Sequence, residues 1–566
     1  MKRISFAAVL ILLICAYSFP QENEALWEQM DDESEFLYLR ELFPDFWRRL
    51  PLDIIGYDID IPAVDSAVTE PLKVEGEPFI LRDFRCSLTA GGDDFEHDIM
   101  KMRLKLGGRW ELGYVSERDA GEELGDFNSY FAVYRTSDIA LCLGNYSAGF
   151  GEGLVLWRGF DWGGYPENPI TPKKNDFMRG YYSTGENNAL FGGGAMLKYN
   201  RWRMAVLYSD SRMDASVDSA GVQALNSSGI HISPSERKNE DRLRERLTLA
   251  RLRYDVSQGL SLGITASEAV YTPGFAPGDS LKEVFDFTGS NNRLLGTDWR
   301  IESKLYESGG ETAVSEKGAV GFIGFFGLKL EAVKFRITLR HFDRDFRNLR
   351  AVYPQGNEQG MTMGLRLADI FGGRLNGYID IWRRPWRTYN IEMPPDGYTE
   401  SISYLRNMGG LDFSLRIRRK VSNYYENTED TRQFRVQLER KIEDFRTGCR
   451  LEKVVSYQDD ESYSGSMLSW WMSADTFLGE LFFRITAFSC PYYSARIYQY
   501  EPEVPGLFSL PFYYGDGVRI VMMYEYELRK WVKLSYKAAW TEYTEKSGSS
   551  EGMPPLEMAL YLGFDF

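Results

Sequence analysis

Apolar and polar residues alternate along most of this chain. Met100, Met102, Leu104 and Leu106 alternate with Lys101, Arg103 and Lys105, and Trp110, Leu112 and Tyr114 with Glu111 and Gly113. A period of two sends the two sets to opposite faces of a β-strand. For Leu106 and Trp110 to share a face, the connection holds three residues, Gly107 to Arg109, and glycine there supplies the positive φ of such hairpins. The pattern returns at Leu260/Leu262/Ile264/Ala266, at Leu375/Gly377/Ile379/Ile381 opposite Asn376, Tyr378 and Asp380, and at Leu411/Phe413/Leu415/Ile417 opposite Asp412, Ser414, Arg416 and Arg418. It continues at Phe434/Val436/Leu438, Leu481/Phe483/Ile485/Ala487, Val518/Ile520/Met522/Tyr524 and Val532/Leu534/Tyr536/Ala538/Trp540.

A charge at every second residue would be ruinous against a packed core. Against a water-filled lumen it is ordinary, with the apolar set facing lipid. Segments of roughly eight to eleven residues give about 22–26 strands between Pro78 and Phe566. The expected fold is all-β: a large closed antiparallel transmembrane β-barrel, preceded by a short, partly helical N-terminal segment. A β-solenoid would show a fixed repeat length, and none is found.

The last segment carries the same pattern. Met558, Leu560, Leu562, Phe564 and Phe566 alternate with Glu557, Ala559, Tyr561, Gly563 and Asp565. In a soluble protein such a strand leaves an aggregation-prone edge. In an outer-membrane barrel it closes the sheet, and Leu560, Leu562, Phe564 and Phe566 become the expected signal to the barrel-assembly machinery.

At the other end, Lys2 and Arg3 precede an apolar run from Ile4 to Cys15, and Ala16-Tyr17-Ser18 supplies small residues for cleavage. This predicts a secretory signal peptide over residues 1–18. The run is short for a membrane anchor. Ile14 before Cys15 departs from the small residue that lipid attachment to that cysteine requires. Residues 19–77 form an acidic segment, periplasmic or lumenal, with a helix-like piece from Glu33 to Arg49. The barrel then occupies residues 78–566. No later stretch reaches spanning-helix length. The longest apolar cluster, Val320 to Leu330, is broken by three glycines and Lys329.

Composition fits this picture. Aromatic residues make up 15%, with 35 Tyr, 35 Phe and 13 Trp, as two aromatic girdles require. The net charge of −16 argues against nucleic acid as a surface partner. The four cysteines beyond the leader, Cys86, Cys142, Cys449 and Cys490, show no metal-ligand spacing, and spacing selects no disulfide pair. Two long connections interrupt the strand rhythm, Trp157–Asn188 and Asp210–Arg246, the second with a helix-like charged end from Glu236.

Several motifs recur in a recognisable order. They are Glu117-Arg118-Asp119-Ala120-Gly121-Glu122 before Asp126-Phe127, Gly144-Asn145-Tyr146, and Phe150-Gly151-Glu152-Gly153-Leu154-Val155-Leu156-Trp157-Arg158-Gly159. Gly310-Glu311, Arg340-His341-Phe342 with Asp345-Phe346, Asn357-Glu358-Gln359-Gly360 and Asp380-Ile381-Trp382 with Pro385-Trp386 follow. Tyr500-Glu501, Pro505-Gly506 and Tyr514-Gly515-Asp516-Gly517-Val518-Arg519 complete the set. From about residue 80 onward the chain resembles a family of outer-membrane barrels of Bacteroidota-type bacteria, in which the barrel often follows helix-hairpin-helix repeats. Residues 21–77 show no such repeat. The resemblance implies no catalytic residue.

Candidate chemistry is sparse. Of three histidines, His341 continues the outward phase of Phe335, Ile337 and Leu339, and His97 sits among acids. His231 with Ser233 and Ser235 is the one drawable nucleophile arrangement, the basis of an alternative outer-membrane hydrolase. Gly149–Gly153 does not open a helix after a parallel strand, as a phosphate loop must. No catalytic residue, metal ligand or cofactor is assigned. The expected lumen-lining set is Lys101, Arg103, Lys105, Asp380, Asp412, Arg416, Arg418, Arg435, Glu439, Glu480, Arg519, Glu525, Lys533 and Lys537, with Glu111. The expected partners are outer-membrane lipid, the assembly machinery, and an unidentified solute or periplasmic partner. The expected function is a channel or transporter. The alternative is a plugged structural or assembly barrel. A TonB-dependent receptor would need a plug domain longer than the N-terminal segment.

Overall fold

The computed structural model describes residues 81–565, less 93–96, 120, 123–124, 159–175, 227–228, 230, 279, 353–355, 388–393, 425–426, 459–460, 477–478, 530 and 545–555. The expected signal peptide, the expected segment 19–77 with its helix-like piece, and Phe566 lie outside the described residues.

Most of the described chain is β-structure, nearly all of it antiparallel, and 27 strands join in one sheet. Each long strand pairs with its neighbours in sequence, and no helix is long and apolar enough to cross a membrane. The expected first hairpin is present. His97–Leu106 and Trp110–Arg118 pair with Leu106 opposite Trp110, across a turn in which Gly107 (φ 55°) and Gly108 (φ 67°) take the left-handed conformation. Strand Leu81–Gly92 pairs on one side with His97–Leu106 and on the other with Leu556–Asp565. In that last pairing Leu88 faces Leu562 and Cys86 faces Phe564.

The two ends of the sheet differ. At one end the strands turn tightly, as at residues 136–138, 200–201, 258–259 and 409–410. At the other lie long connections such as residues 150–176, 214–242, 343–357 and 491–514.

The faces are inverted relative to a water-soluble protein. Leu143 is 64% exposed and Leu468 56%, whereas Arg435 is 2% exposed and Arg519 fully buried. Along Trp202–Met213, Met204, Val206 and Tyr208 are exposed while Ala205, Leu207 and Ser209 are buried. Arginines are almost never fully buried without partners, so the buried face has to supply them. It also holds an apolar cluster where a polar interior was expected. Phe131, Val133, Cys142, Tyr146, Leu207, Leu247, Leu249 and Ile323 pack there with residues of the long connections. Phe131 lies over Gly113 and Gly180, where a Cβ would come within 2.2 Å and 2.1 Å of its ring.

One expected connection is shorter than the sequence suggests. Strand Trp202–Met213 extends past Asp210, and Leu243–Ser257 begins before Arg246, so the connection spans 214–242. The helix described within it is Pro234–Asn239. Ser233 caps it: its Oγ accepts from Glu236 N at 3.2 Å, and the Glu236 carboxylate accepts from Ser233 N at 2.7 Å. The charged residues after it alternate, Leu243 and Glu245 buried against Arg244 and Arg246 exposed, and therefore form strand.

Candidate functional site

Two long connections fold back over the buried face and meet each other. After strand Ile139–Gly149 the chain turns at Gly151 (φ 59°) and Gly153 (φ 87°), a conformation that costs side-chain-bearing residues energy. This turn buries Phe150, Leu154, Val155, Leu156 and Trp157. The Glu311 carboxylate fixes it, accepting from the backbone N–H of Glu152 at 2.7 Å and of Leu154 at 3.0 Å. From the connection after strand Val333–Phe342, Asn348 Nδ2 donates to the Leu154 and Val155 carbonyls, both at 2.8 Å. Trp157 N donates to Arg350 O at 2.8 Å. Arg350 is itself buried, with Nε donating to Glu245 at 2.6 Å. Nearby, Arg251 bridges Asp176 at 2.8 Å and Asp298 at 2.6 Å.

A third connection, residues 491–514, folds inward elsewhere and makes a small hairpin of Ile497–Tyr498 with Phe512–Tyr513. It delivers carboxylates. Arg519 donates to both oxygens of Glu501 at 2.8 Å and also reaches Glu557. Lys537 Nζ lies 2.5 Å from Glu503 and 3.5 Å from Glu501. Burial alone would raise the Glu501 carboxyl, but the charge of Lys537 and the hydrogen bonds and charge of Arg519 outweigh it and hold it at about 2. Arg484 caps the Tyr500 carbonyl at 2.7 Å.

The sequence-predicted charged residues all lie in strands, and most have partners. Lys101 is buried, 5.5 Å from the Tyr182 ring centroid. Arg103 pairs with Glu111 at 2.9 Å, and Lys105 is half-buried beside them. Asp380 accepts from Arg340 at 2.7 Å. Arg416 is buried and reaches Gln433 at 3.0 Å; Arg418 is half-buried. Arg435 pairs with Glu452 at 2.9 Å, Glu439 with Arg446 at 3.4 Å, and Lys533 with Glu525 at 2.6 Å. Glu480 stands opposite Glu525 in register. Asp412 accepts from Asn407 at 2.7 Å. These residues are distributed around the sheet in separate groups: Arg103 with Glu111, Arg416 with Arg435, Lys533 with Glu525, and Arg519 with Lys537 through Glu501. Sequence reasoning missed Glu452 and Arg450, whose side chains pair, and Glu245, Arg251 and Glu311. Strand phase alone marks Glu452, since Leu451 is exposed. Of the expected assembly residues, Leu560 is 41% exposed, and Leu562 and Phe564 are half-exposed on the same face.

A third grouping lies at the long-connection end. His231 is buried, its Nδ1 2.7 Å from Asp126 and its Nε2 3.2 Å from Asp214. Its backbone N–H donates to Glu122 at 2.5 Å. Burial pulls its pKa down, but the hydrogen bonds to Asp126 and Asp214 and the charge of Asp214 and Glu186 raise it to about 9. Burial pushes Glu186 up to about 8. Beside them His97 Nδ1 lies 2.7 Å from Asp119. Three triads here, His97/Glu117/Asp119, Glu122/Asp126/His231 and Glu186/Asp214/His231, bring possible ligand atoms within 4.8 Å of one another. Imidazole and carboxylate satisfy each other as they stand. Both His231 nitrogens face aspartates and Ser233 caps a helix, so the drawable His231/Ser233/Ser235 arrangement is not assembled.

No protein-family model matches the chain, and no curated protein matches it. Solved structures with similar folds include the copper transporter OprC (9% identity, 87% of this chain and 82% of that chain, TM-score 0.43). The ferric-catecholate import receptor Fiu from E. coli K12 is another (11% identity, 86% and 81%, TM-score 0.39). The translocation pore of the P pilus usher PapC is a third (10% identity, 86% and 99%, TM-score 0.36).

Proposed function

We propose that this chain is a closed outer-membrane barrel that passes a solute or polymer, narrowed from within by the segments 150–158, 343–352 and 491–514. The observation that carries this reading is the inverted sheet, with guanidinium groups buried on one face and leucines exposed on the other. Such a surface is stable only where its surroundings are apolar. Three short strands, Phe177–Gly180, Ala215–Val217 and Val222–Leu225, branch from the 27-stranded sheet, which leaves 24 strands for the barrel wall. The pairing of Leu81–Gly92 with Leu556–Asp565 supplies its seam. Exposed aromatics near the tight turns, Trp110, Tyr199, Trp202, Tyr306 and Trp531, suit an interfacial girdle. Short turns then face the periplasm and long connections the outside.

A second reading, a plugged barrel that holds a partner, is favoured by the tight packing of Phe150–Trp157 against Asn348 and Arg350. Planar-bilayer recording of purified protein decides between them. Discrete openings are expected, and neutralising Arg416 and Arg418 should shift the reversal potential toward cations. Absence of conductance in a preparation that migrates heat-modifiably on gels overturns the passage reading and leaves the scaffold. Recovery of the chain in the soluble periplasm overturns both. Within the seam, Leu562→Asp should block insertion, since a charge at the bilayer midplane costs about 2–4 kcal/mol, while Tyr561→Asp should be milder.

A further inference from the structure

We infer that the tight-turn end of the sheet carries a binding site for an oxyanion, phosphate-like or carboxylate, in a basic cavity beside the turns at residues 200–201 and 258–259. The cavity, of about 420 Å³, is lined by Lys198, Arg201, Arg203, Arg253 and Arg300 against Asp255 and Glu302. Five cations face two carboxylates there, in a chain whose net charge is −16.

The sheet itself builds this row. Arg203 stands opposite Arg253 in register, and Ser261 opposite Arg300, so adjacent strands present three guanidinium groups and a hydroxyl side by side. Their phase is that of the buried face. Trp202 and Met204 flank Arg203 on the exposed face, as Leu252 flanks Arg253 and Leu262 flanks Ser261.

Existing pairs hold Arg203, Arg253 and Arg300 in place, while Lys198 and Arg201 at the rim have no carboxylate partner among the described residues. Arg203 and Arg253 share Asp255, at 3.0 Å and 3.2 Å. Arg300 lies 3.9 Å from Glu152, and Arg253 lies 3.9 Å from Asp176, two carboxylates outside the cavity lining. Arg201 donates to the Val256 carbonyl at 3.1 Å, which orients its guanidinium along the rim. Guanidinium groups match planar and tetrahedral oxyanions through paired N–H donors, and Lys198 adds a mobile point charge. A partly enclosed setting weakens salt screening relative to open surface.

The site rests on the barrel reading for its position at the periplasmic mouth, but not for its chemistry. The test is isothermal titration of the folded, full-length protein in detergent micelles with inorganic phosphate, sulfate and acetate, at low ionic strength. One saturable site is expected. The doublet Lys198→Gln/Arg201→Gln, at the exposed rim and away from the infolded packing, should weaken binding about tenfold or more. Arg300→Gln should weaken it comparably, whereas Arg293→Gln at the opposite end should leave it unchanged. Preference for phosphate and sulfate over acetate assigns a tetrahedral dianion; preference for acetate assigns a carboxylate. No saturable binding, or binding indifferent to the rim doublet, overturns the proposal. Conductance without anion binding would remove this site and leave the passage reading. Binding without conductance would do the reverse.

Discussion

The two infolded regions sit on the same sheet and are held by different forces. Around residues 150–158 the contact is largely one of shape: Phe150, Leu154 and Leu156 enter a cluster with Phe131, Leu207 and Leu249. Around residues 491–514 charge dominates, as Glu501 and Glu503 meet Arg519 and Lys537. An apolar insert tolerates small shifts in register, whereas a buried carboxylate needs its cation within hydrogen-bond reach. The charged inset is therefore the more specific of the two, and the less forgiving of a missing partner.

The largest effect should follow Arg519→Ala. It strips Glu501 and Glu557 of their shared partner, and breaking a buried pair in this way costs about 3–5 kcal/mol. Urea unfolding of the detergent-folded protein measures it. The double variant Arg519→Ala/Glu501→Ala should lose less than the sum of the singles, because no lone carboxylate remains at 501. Additive losses would dissolve the distinction between the regions.

Leu154→Ala tests the apolar insert and should cost about 2–5 kcal/mol through lost burial and a cavity. Proteolysis within residues 150–158 should quicken, while the 491–514 inset stays protected.

Acid and alkali should loosen different places. Glu501, held at about 2 against an ordinary 4.5, contributes stability above about pH 4.5 that is lost as pH falls through about 2. His231, raised to about 9 from 6.5, contributes stability below about pH 6.5 that is lost as pH rises through about 9. Glu186, raised to about 8 from 4.5, adds a loss that begins above about pH 4.5 and is complete as pH passes about 8. Hydrogen exchange should show segment 214–242 opening in alkali and segment 491–514 in acid. The smallest change is expected at Arg293, an exposed partner of Glu268: Arg293→Gln should leave the urea midpoint unchanged.

Strand alternation was legible because it is local. The phase that exposes Met204 and buries Leu207 is written into consecutive residues, and the three-residue turn at Gly107–Arg109 follows from it. The infolds were not legible. Gly149-Phe150-Gly151-Glu152-Gly153 gives no sign that Glu311 and Asn348, far along the chain, will seize its backbone. Charged residues could be assigned to a face but not to a partner: phase alone put Arg435 opposite the apolar stripe, and Glu452 was overlooked because its strand was not read. The segment after Glu236 looked helical because its charges were read together. Split by parity, Leu243, Glu245 and Leu247 are already one face of a strand.

The seam between Leu81–Gly92 and Leu556–Asp565 also sets an order of events. Its two strands come from nearly opposite ends of the described chain, so their pairing is the most non-local strand pairing among the described residues, and such contacts form late and slowly. Until then the growing sheet carries two raw edges, each able to capture a foreign strand. Synthesis must therefore deliver both strands before these edges can pair, and the unfinished sheet has to be shielded throughout that interval.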